Sequence, residues 1–160
     1  KAARPNQYFA LAAAKKRFAE KAGGIIWHSQ GSGKSLTMIW LAQWIKEQGN
    51  DARIVIITDR DHVIAASGMP KKDAIDKRIS TDLEDLIENR ENYVASPDIK
   101  ALYPLKDSDR EAGIAYPIIG GGDVAGAVVL MLNNNGSMPT QTEIKLVSVA
   151  ASFLGKQTEE

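Results

Sequence analysis

Residues 53–67 have the sequence RIVIITDRDHVIAAS, and this stretch decides the fold. Its first part, residues 53–58, is a β-branched run typical of a strand that is buried on both faces. Val63–Ser67 forms a second strand-like run, and only a short acidic turn separates the two. Strands this close in sequence pair antiparallel through a tight turn, so we predict a β-hairpin.

Downstream of this hairpin, the chain alternates helical and strand-like segments. Residues 73–92 are charged and helical in character, whereas residues 93–105 are strand-like but interrupted by prolines. Residues 113–119 and 124–132 are apolar runs joined by a glycine-rich turn, which predicts a second hairpin. A helix that opens at Pro139 is apolar over more than one stripe and therefore needs two packing partners.

The residues before the first hairpin predict a parallel unit. An amphipathic helix opens at Pro5, residues 25–27 form a short apolar strand, and residues 35–48 form a second helix. Together with the strand at Ile54, these segments predict a βαβ unit. Its correct shape requires the strand at 25–27 to lie parallel to the strand at Ile54, with a right-handed crossover.

A phosphate-binding loop is predicted at residues 28–35, HSQGSGKS, between that strand and the following helix. Glycines let the backbone curl so that successive N–H groups converge on a phosphate at a helix N-terminus. Lys34 would contact the outer phosphates, and the Ser35 hydroxyl would ligate Mg²⁺. His28 stands where the general pattern has its first glycine, and the alternative is a strand-to-helix connection without a ligand. The predicted nucleotide-binding residues of the loop are Gly31, Ser32, Gly33, Lys34 and Ser35.

This segment also resembles a known ATPase family. Residues 27–38, WHSQGSGKSLTM, are very similar to the first ATPase motif of type I restriction enzyme motor subunits, a family that tolerates His28 at its position. Gln7 and its neighbours resemble the adenine-reading segment of the same family. The resemblance covers roughly residues 4–60. It implies that the chain binds ATP and Mg²⁺, with Gln7 on the adenine.

Catalysis is not expected. A motor ATPase needs an acidic motif for Mg²⁺ and water on a later strand and an arginine finger from a second lobe, and the sequence contains neither. It also contains no G-x-S-x-G elbow, no cysteine and no cluster with metal-ligand spacing. His28 and His62 are therefore interpreted as structural, and the chain as a non-enzyme.

The residues from Asp59 onward resemble a second family. The segments 59–68, 117–119 and 150–157 are similar to the C-terminal GAF-like domain of the stage V sporulation protein T family, with the elements in the same order. The resemblance implies a small antiparallel sheet with helices on its faces and a pocket for an unidentified small ligand. The candidate pocket residues are Tyr93, Tyr103 and Tyr116.

The two resemblances meet without a linker at residues 58–61. We therefore expect residues 1–58 to form a phosphate-loop segment and residues 59–160 a GAF-like sensor domain, together in one compact body. The expected fold class is α/β of an α+β-like kind, with a GAF-like antiparallel or mixed sheet carrying helices on its faces. The phosphate-loop βαβ segment would replace the first GAF helix and strand, and the hypothesis is an engineered or recombinant chimera.

Composition excludes several classes of protein. Hydrophobic content of 44% and charged content of 25% are typical of soluble globular proteins, and the longest apolar run is too short to cross a bilayer. Residues 1–62 carry ten Lys/Arg and five Asp/Glu, whereas residues 63–160 carry ten and fifteen. The basic cluster at 15–17 is interpreted as a solvated helix face. We expect a cytoplasmic protein that binds neither membrane nor DNA.

Three functions remain open from the sequence. The first is a non-catalytic, sensor-like hybrid that binds a nucleotide or another small ligand, with ATP and Mg²⁺ as its cofactors. The second is a fragment of a restriction-enzyme ATPase motor, and the third is a structural or oligomerisation scaffold with no ligand. Apolar surface left exposed by the substitution would favour a homo-oligomer. The acidic side chains of the 73–92 segment are interpreted as one solvated helix face, namely Asp82, Glu84, Asp85, Glu88 and Glu91.

Overall fold

A computed structural model describes residues 53–158, which form a five-stranded antiparallel sheet with helices on both faces. The strands lie in the order β2-β1-β5-β4-β3. This confirms the expected mixture of an antiparallel sheet with flanking helices. The elements are β1 Val55–Thr58, β2 Val63–Ser67, α1 Lys71–Ala74, α2 Thr81–Glu88, β3 Tyr93–Val94, β4 Ala112–Gly120, β5 Asp123–Met131 and α3 Gln141–Gln157.

The predicted hairpin of β1 and β2 is confirmed, and β1 is an interior strand. Its four residues are all buried, as the continuous β-branched run requires. Val55 pairs antiparallel with Ser67 of β2 on one edge and with Leu130 of β5 on the other. Because β2 and β5 use both edges along the whole strand, β1 has no free edge for a parallel partner. Residues 25–27 lie outside the described part of the chain, so the βαβ unit stays a prediction.

The second predicted hairpin is also confirmed, as β4 and β5. Gly121 and Gly122 form its turn with φ of 59° and 87°, the left-handed region that glycine adopts without steric cost. The strands pair from Gly120 with Asp123 to Ala112 with Met131, with register shifts near both ends. This long hairpin supplies the centre of the sheet and one wall of the site described below.

The segment predicted as one helix over 73–92 is divided. α1 ends at Ala74, Asp76 adopts a left-handed φ of 63°, and α2 begins only after Ser80, whose side chain accepts a hydrogen bond from the Leu83 N–H as an N-cap. The interruption satisfies the edge of β2, since the Asp76 N–H donates to the Val63 carbonyl. Strand-like residues 93–105 are likewise reduced to the two-residue β3, with the rest a connection that contains both prolines.

Two apolar layers fill the molecule, one on each face of the sheet. α3 covers the first through Val147, Ala150 and Leu154, which pack against side chains from β1, β4 and β5. α2 and the β3–β4 connection cover the second, where Leu83 and Ile87 meet the opposite side chains of the same strands. No helix within residues 53–158 is long and apolar enough to cross a membrane.

The start of α3 is fixed by a buried charge. The helix opens two residues after Pro139, with Thr140 as N-cap in a reciprocal capping box with Glu143. The Arg53 Nε lies 3.0 Å from the Glu143 Oε1, and the Arg53 side chain is only 3% exposed. The Arg53 Nε–H does not form a hydrogen bond with the carboxylate, so the attraction between the two side chains is Coulombic. The Arg53 Nη2 donates hydrogen bonds to the Ser137 and Met138 carbonyls.

The far end of α3 touches the sheet through glycine. A Cβ built on Gly155 would stand 2.0 Å from the Ile119 carbonyl oxygen, and one built on Gly120 would stand 2.1 Å from the Gly155 oxygen. Neither distance is compatible with a side chain at these positions. Helix and strand backbones are therefore in direct contact beside the β4–β5 turn.

Candidate functional site

The turn between β1 and β2, where the two resemblances meet, is tied to β5. The Thr58 hydroxyl accepts a hydrogen bond of 3.2 Å from the Ala127 N–H, and the Arg60 Nε donates at 2.7 Å to the Val124 carbonyl. Gly126 lies so close to the β1 backbone that a Cβ at this position would be 1.8 Å from the Thr58 carbonyl oxygen. The β1–β2 turn is therefore held against β5 by two side-chain hydrogen bonds and a close backbone contact.

His62 lies in the same turn, beside the carboxylates of Asp59 and Asp61, a neighbourhood that the sequence analysis did not predict. The Asp59 Oδ1 accepts backbone hydrogen bonds of 2.7 Å from both Asp61 and His62, and potential ligand atoms of these three side chains lie within 4.8 Å of one another. Asp61 and His62 are exposed and Asp59 is half-buried. The group is a hydrogen-bonded surface turn, and the structural interpretation of His62 stays a prediction.

A cleft of about 380 Å³, here called the α2 cleft, lies between α2 and the two turns at this end of the sheet. Ile87 and Val124 are buried residues of its apolar part, being 2% and 7% exposed. The other lining residues are charged. The complete lining is Arg60, Asp61, Arg78, Glu84, Ile87, Glu88, Arg90, Asp123 and Val124.

Three arginines reach the α2 cleft from separate segments of the chain. Arg60 comes from the β1–β2 turn, Arg78 from the connection before α2, and Arg90 from the residues after α2. One N–H of Arg60 is bound to the Val124 carbonyl, and one N–H of Arg90 is bound to the Gly122 carbonyl. These hydrogen bonds fix both guanidinium groups on the β4–β5 hairpin and use one of the five donors of each.

The backbone of Arg90 is in an unusual conformation for a residue with a side chain. α2 ends in a Schellman motif, in which the Glu91 N–H donates to the Leu86 carbonyl and the Arg90 N–H to the Ile87 carbonyl. Arg90 occupies the left-handed position of that motif with φ of 58°, where glycine is preferred. A left-handed non-glycine residue carries strain of about 1 kcal/mol or more.

The charges of the α2 cleft are poorly paired, and all of their side chains except that of Glu84 are exposed. Arg78 and Glu84 are its one described ion pair, with 3.9 Å between the Arg78 Nε and the Glu84 Oε1. Within residues 53–158, no carboxylate forms an ion pair with Arg60 or Arg90. The solvated-face interpretation holds for the exposed Asp82, Asp85, Glu88 and Glu91, although Glu88 also lines the cleft, whereas Glu84 is half-buried there.

A second, smaller cleft of about 280 Å³ adjoins the first, because Arg78 lines both. This loop cleft lies between the α1 segment and the β3–β4 connection. Its charged side chains are of both signs and its lining includes Leu105 and Pro70. The complete lining is Met69, Pro70, Asp73, Lys77, Arg78, Leu105, Asp107, Ser108 and Arg110.

The three tyrosines predicted as pocket residues line neither cleft, although Tyr93 and Tyr103 both lie near Glu111. Tyr93 packs in the layer under α2, and its hydroxyl accepts a 3.2 Å hydrogen bond from the Leu102 N–H. Tyr116 packs on the opposite face, against the α3 layer. Tyr103 is 41% exposed, and its hydroxyl donates to Glu111 at 3.3 Å.

Electrostatics act on two of these hydroxyls. The negative charge of Glu111, together with the hydrogen bond between them, raises the pKa of Tyr103 above its ordinary value. Burial raises the pKa of Tyr93, with Glu111 adding to the effect and the hydrogen bond from Leu102 opposing it. Both phenols are therefore neutral at physiological pH and act as hydrogen-bonding groups.

The predicted nucleotide site lies outside the described residues. Gln7, Gly31, Ser32, Gly33, Lys34 and Ser35, with the Mg²⁺ ligation assigned to Ser35, are all in the part of the chain before residue 53. These assignments stay predictions. Sequence analysis missed the α2 cleft because its lining is scattered over residues 60–124 and shows no motif.

The family follows from comparison with known proteins. Residues 45–159 match the family described as Stage V sporulation protein T C-terminal, transcription factor. The chain belongs to this family. The match begins at residue 45, so it includes β1 and residues that had been assigned to the motor-like segment. The sporulation-family part of the prediction is confirmed, and nothing in the comparisons supports the restriction-enzyme resemblance or a chimera.

Relatives and solved structures agree with this assignment. Stage V sporulation protein T of Bacillus subtilis is 37% identical over 108 residues, which are 66% of this chain and 59% of that protein. The chain thus spans about three fifths of that relative's length. The GAF domain of a phosphoenolpyruvate-protein phosphotransferase from Coxiella burnetii matches with a TM-score of 0.61 and 14% identity, covering 96% of this chain and 92% of that one.

A second solved GAF domain shows the same fold. The domain from the Acinetobacter phosphoenolpyruvate-protein phosphotransferase matches with a TM-score of 0.58 and 10% identity, covering 96% of this chain and 93% of that one. Identities this low show the fold alone. The chain is therefore GAF-like in fold and related to a transcription regulator.

Proposed function

We propose that this chain is a non-catalytic, ligand-sensing domain of a transcription regulator, and that its effector binds in the α2 cleft. The observation that carries the proposal is the set of three arginines, Arg60, Arg78 and Arg90, that line one cleft from three separate segments. Small molecules bind in concave sites where polar groups converge, and seven of the nine residues that line this cleft are charged. Membership in a transcription-factor family and the GAF-like fold support a sensory role.

A ligand in the α2 cleft would act on the rest of the domain through the β4–β5 turn. Arg90 already holds the Gly122 carbonyl in that turn, and Arg60 holds the Val124 carbonyl at the start of β5. The strand on the other side of the turn ends at Gly120, whose backbone contacts α3 directly at Gly155. A bound effector that draws the two arginines together would thus shift the turn and the end of α3 that contacts it. Such a shift requires that the effector bind one conformation of the turn more tightly than the other.

Thermal unfolding of the full chain against a library of small metabolites tests the proposal. A ligand at about one hundred times its Kd stabilises by about 2.7 kcal/mol, which corresponds to a rise of roughly 5–10 °C in Tm for a chain of this size. The rise should be lost in Arg90→Gly, a substitution that suits the left-handed backbone. It should persist in Arg110→Gln, a matched change of an exposed arginine in the loop cleft.

Two results would overturn the proposal. One is a library in which no compound raises Tm. The other is a hit whose effect survives Arg90→Gly and Arg60→Gln, because the ligand would then bind elsewhere. Backbone amide shifts at Gly122 and Val124 on titration give an independent location of the bound molecule.

Nucleotide binding is a second candidate function, favoured by the sequence HSQGSGKS at residues 28–35. The proposal is that Lys34 and Ser35 bind MgATP without turnover. Calorimetric titration of MgATP into the wild type and Lys34→Ala decides it, since heat lost in the variant supports a phosphate loop and no heat in either rejects it. Light scattering of the same samples tests the proposed homo-oligomer.

A further inference from the structure

We propose that the α2 cleft takes a small zwitterion of amino-acid type, with an anionic group on its arginines and a cationic group on its carboxylates. The inference rests on the proposed sensing function and adds the chemical class of the effector. It begins with the lining charges, which are three guanidinium groups and four carboxylates around an apolar part. The carboxylates are those of Asp61, Glu84, Glu88 and Asp123.

The balance of charge argues against ligands of a single sign. A simple anion would gain the arginines but would enter a cleft that four carboxylates also line, and these would repel it. A simple cation would meet the opposite difficulty at Arg60, Arg78 and Arg90. A ligand with both charges satisfies the two sets at once and leaves the net charge of the cleft unchanged.

The arginines are prepared for a carboxylate. Each of Arg60 and Arg90 spends one N–H on a turn carbonyl, and no described carboxylate forms an ion pair with either. The other donors stay available in the fixed fork of the guanidinium group, which suits the two oxygens of a carboxylate. Because the backbone hydrogen bonds already hold these side chains, binding costs less side-chain entropy than it would on free arginines.

The strained backbone of Arg90 points to the same site. Its φ of 58° lies where a side chain is disfavoured, and such outliers collect at ligand-binding positions. The left-handed turn ends α2 and lets the next residues leave the helix, while its arginine lies in the cleft beside Asp123 and Glu88. Residues of both signs are thereby brought to one end of the helix.

Size limits the ligand further. The cleft volume of about 380 Å³ is at the lower end of the range for small-molecule sites, which favours a free amino acid or a dipeptide over a nucleotide. Ile87 and Val124 are only 2% and 7% exposed, so the charged side chains, rather than aliphatic surface, form most of the contact area.

The test titrates the twenty standard amino acids, each to about 10 mM, into the full chain and follows the amide signals of residues 60, 90, 122 and 124, since weak ligands need millimolar concentrations. For each hit, the des-amino acid and the des-carboxy amine are matched probes with the same side chain. For L-leucine these are 4-methylpentanoate and 3-methylbutylamine. We expect each single-charge analogue to bind about tenfold or more weakly, because it loses one set of charge-assisted hydrogen bonds.

Variants separate the two ends of the ligand. Arg60→Gln and Arg90→Gly should weaken the amino acid and the acid but not the amine, whereas Glu88→Gln should weaken the amine and not the acid. Arg110→Gln in the loop cleft should change none of them. If no amino acid shifts the cleft amides, or if a single-charge analogue binds as well as its parent, the zwitterion proposal is wrong. A library compound that binds at the α2 cleft would then still leave the sensing function standing.

Discussion

Replacement of Gly155 by alanine tests the direct contact between α3 and β4. In an isolated helix this change is favourable, since alanine is better than glycine by about 1 kcal/mol. In this protein the new Cβ would stand 2.0 Å from the Ile119 oxygen and 2.8 Å from its carbonyl carbon. An ordinary contact needs about 3.4 Å, so the two backbones must separate by about 1.4 Å.

The expected cost follows from that displacement. Overpacking of a dense core costs typically about 1–3 kcal/mol. Here the new Cβ meets the carbonyl carbon and oxygen of Ile119, which are backbone atoms and cannot rotate away. Separation would also loosen the layer in which Phe153 and Leu154 pack against the sheet. We take the cost as about 3 kcal/mol, and after the helix-propensity gain the net destabilisation should be about 2 kcal/mol.

Urea unfolding followed by circular dichroism measures the change, with Ser152→Ala as the matched control. Ser152 lies on the exposed side of the same helix, so its replacement should stay within about 0.5 kcal/mol of the wild type. The Gly155→Ala protein should also melt roughly 4–8 °C lower. An alanine variant as stable as the wild type, or more stable, would show that propensity prevails and that the close approach is not as described.

Three further predictions address buried charge, phenol titration and the turn beside the cleft. Arg53→Met should lower the free energy of unfolding by about 3 kcal/mol, since it leaves the Glu143 carboxylate almost buried without its partner, and adding Glu143→Gln should recover part of the loss in a double-mutant cycle. Glu111→Gln should lower the pKa of Tyr103 towards its ordinary value, as followed by ultraviolet difference titration; an unchanged midpoint would contradict the assigned cause. Because its folded pKa is raised, this phenol favours folding below the ordinary tyrosine value, and that contribution is lost as pH rises through the folded pKa. Gly126→Ala should destabilise by about 2 kcal/mol or more in thermal melts, as its Cβ would meet β1 backbone at 1.8 Å, and a neutral result would refute that approach.

Patterns that act over neighbouring residues were predictable from the sequence. The two hairpins follow from apolar runs separated by turn residues, and both are present as β1–β2 and β4–β5. The helix after Pro139 was expected within two residues of its start at Gln141. Its apolar excess is explained by the sheet on one side, where Val147 and Leu154 are completely or almost completely buried.

Features that depend on distant residues were not predictable. One partner of β1 is β5, which lies far along the chain, and no local pattern shows that both edges of β1 are paired. The division of the 73–92 segment depends on Asp76, which adopts a left-handed conformation while its N–H meets Val63 on another strand. The α2 cleft combines side chains from three connections, from α2 and from the start of β5, and Arg90 gives no sequence sign that its backbone is strained.

The interior place of β1 also has a meaning for biosynthesis. As the chain leaves the ribosome, β1 can pair with β2 at once. Its other edge stays unpaired until β5 is made, which follows β2, α1, α2, β3 and β4 in the chain. During that interval the apolar run from Val55 to Thr58 presents an unpaired edge, the kind of surface on which aggregation begins. The late β4–β5 hairpin thus completes the sheet, and α3, which is made after it, then covers one face.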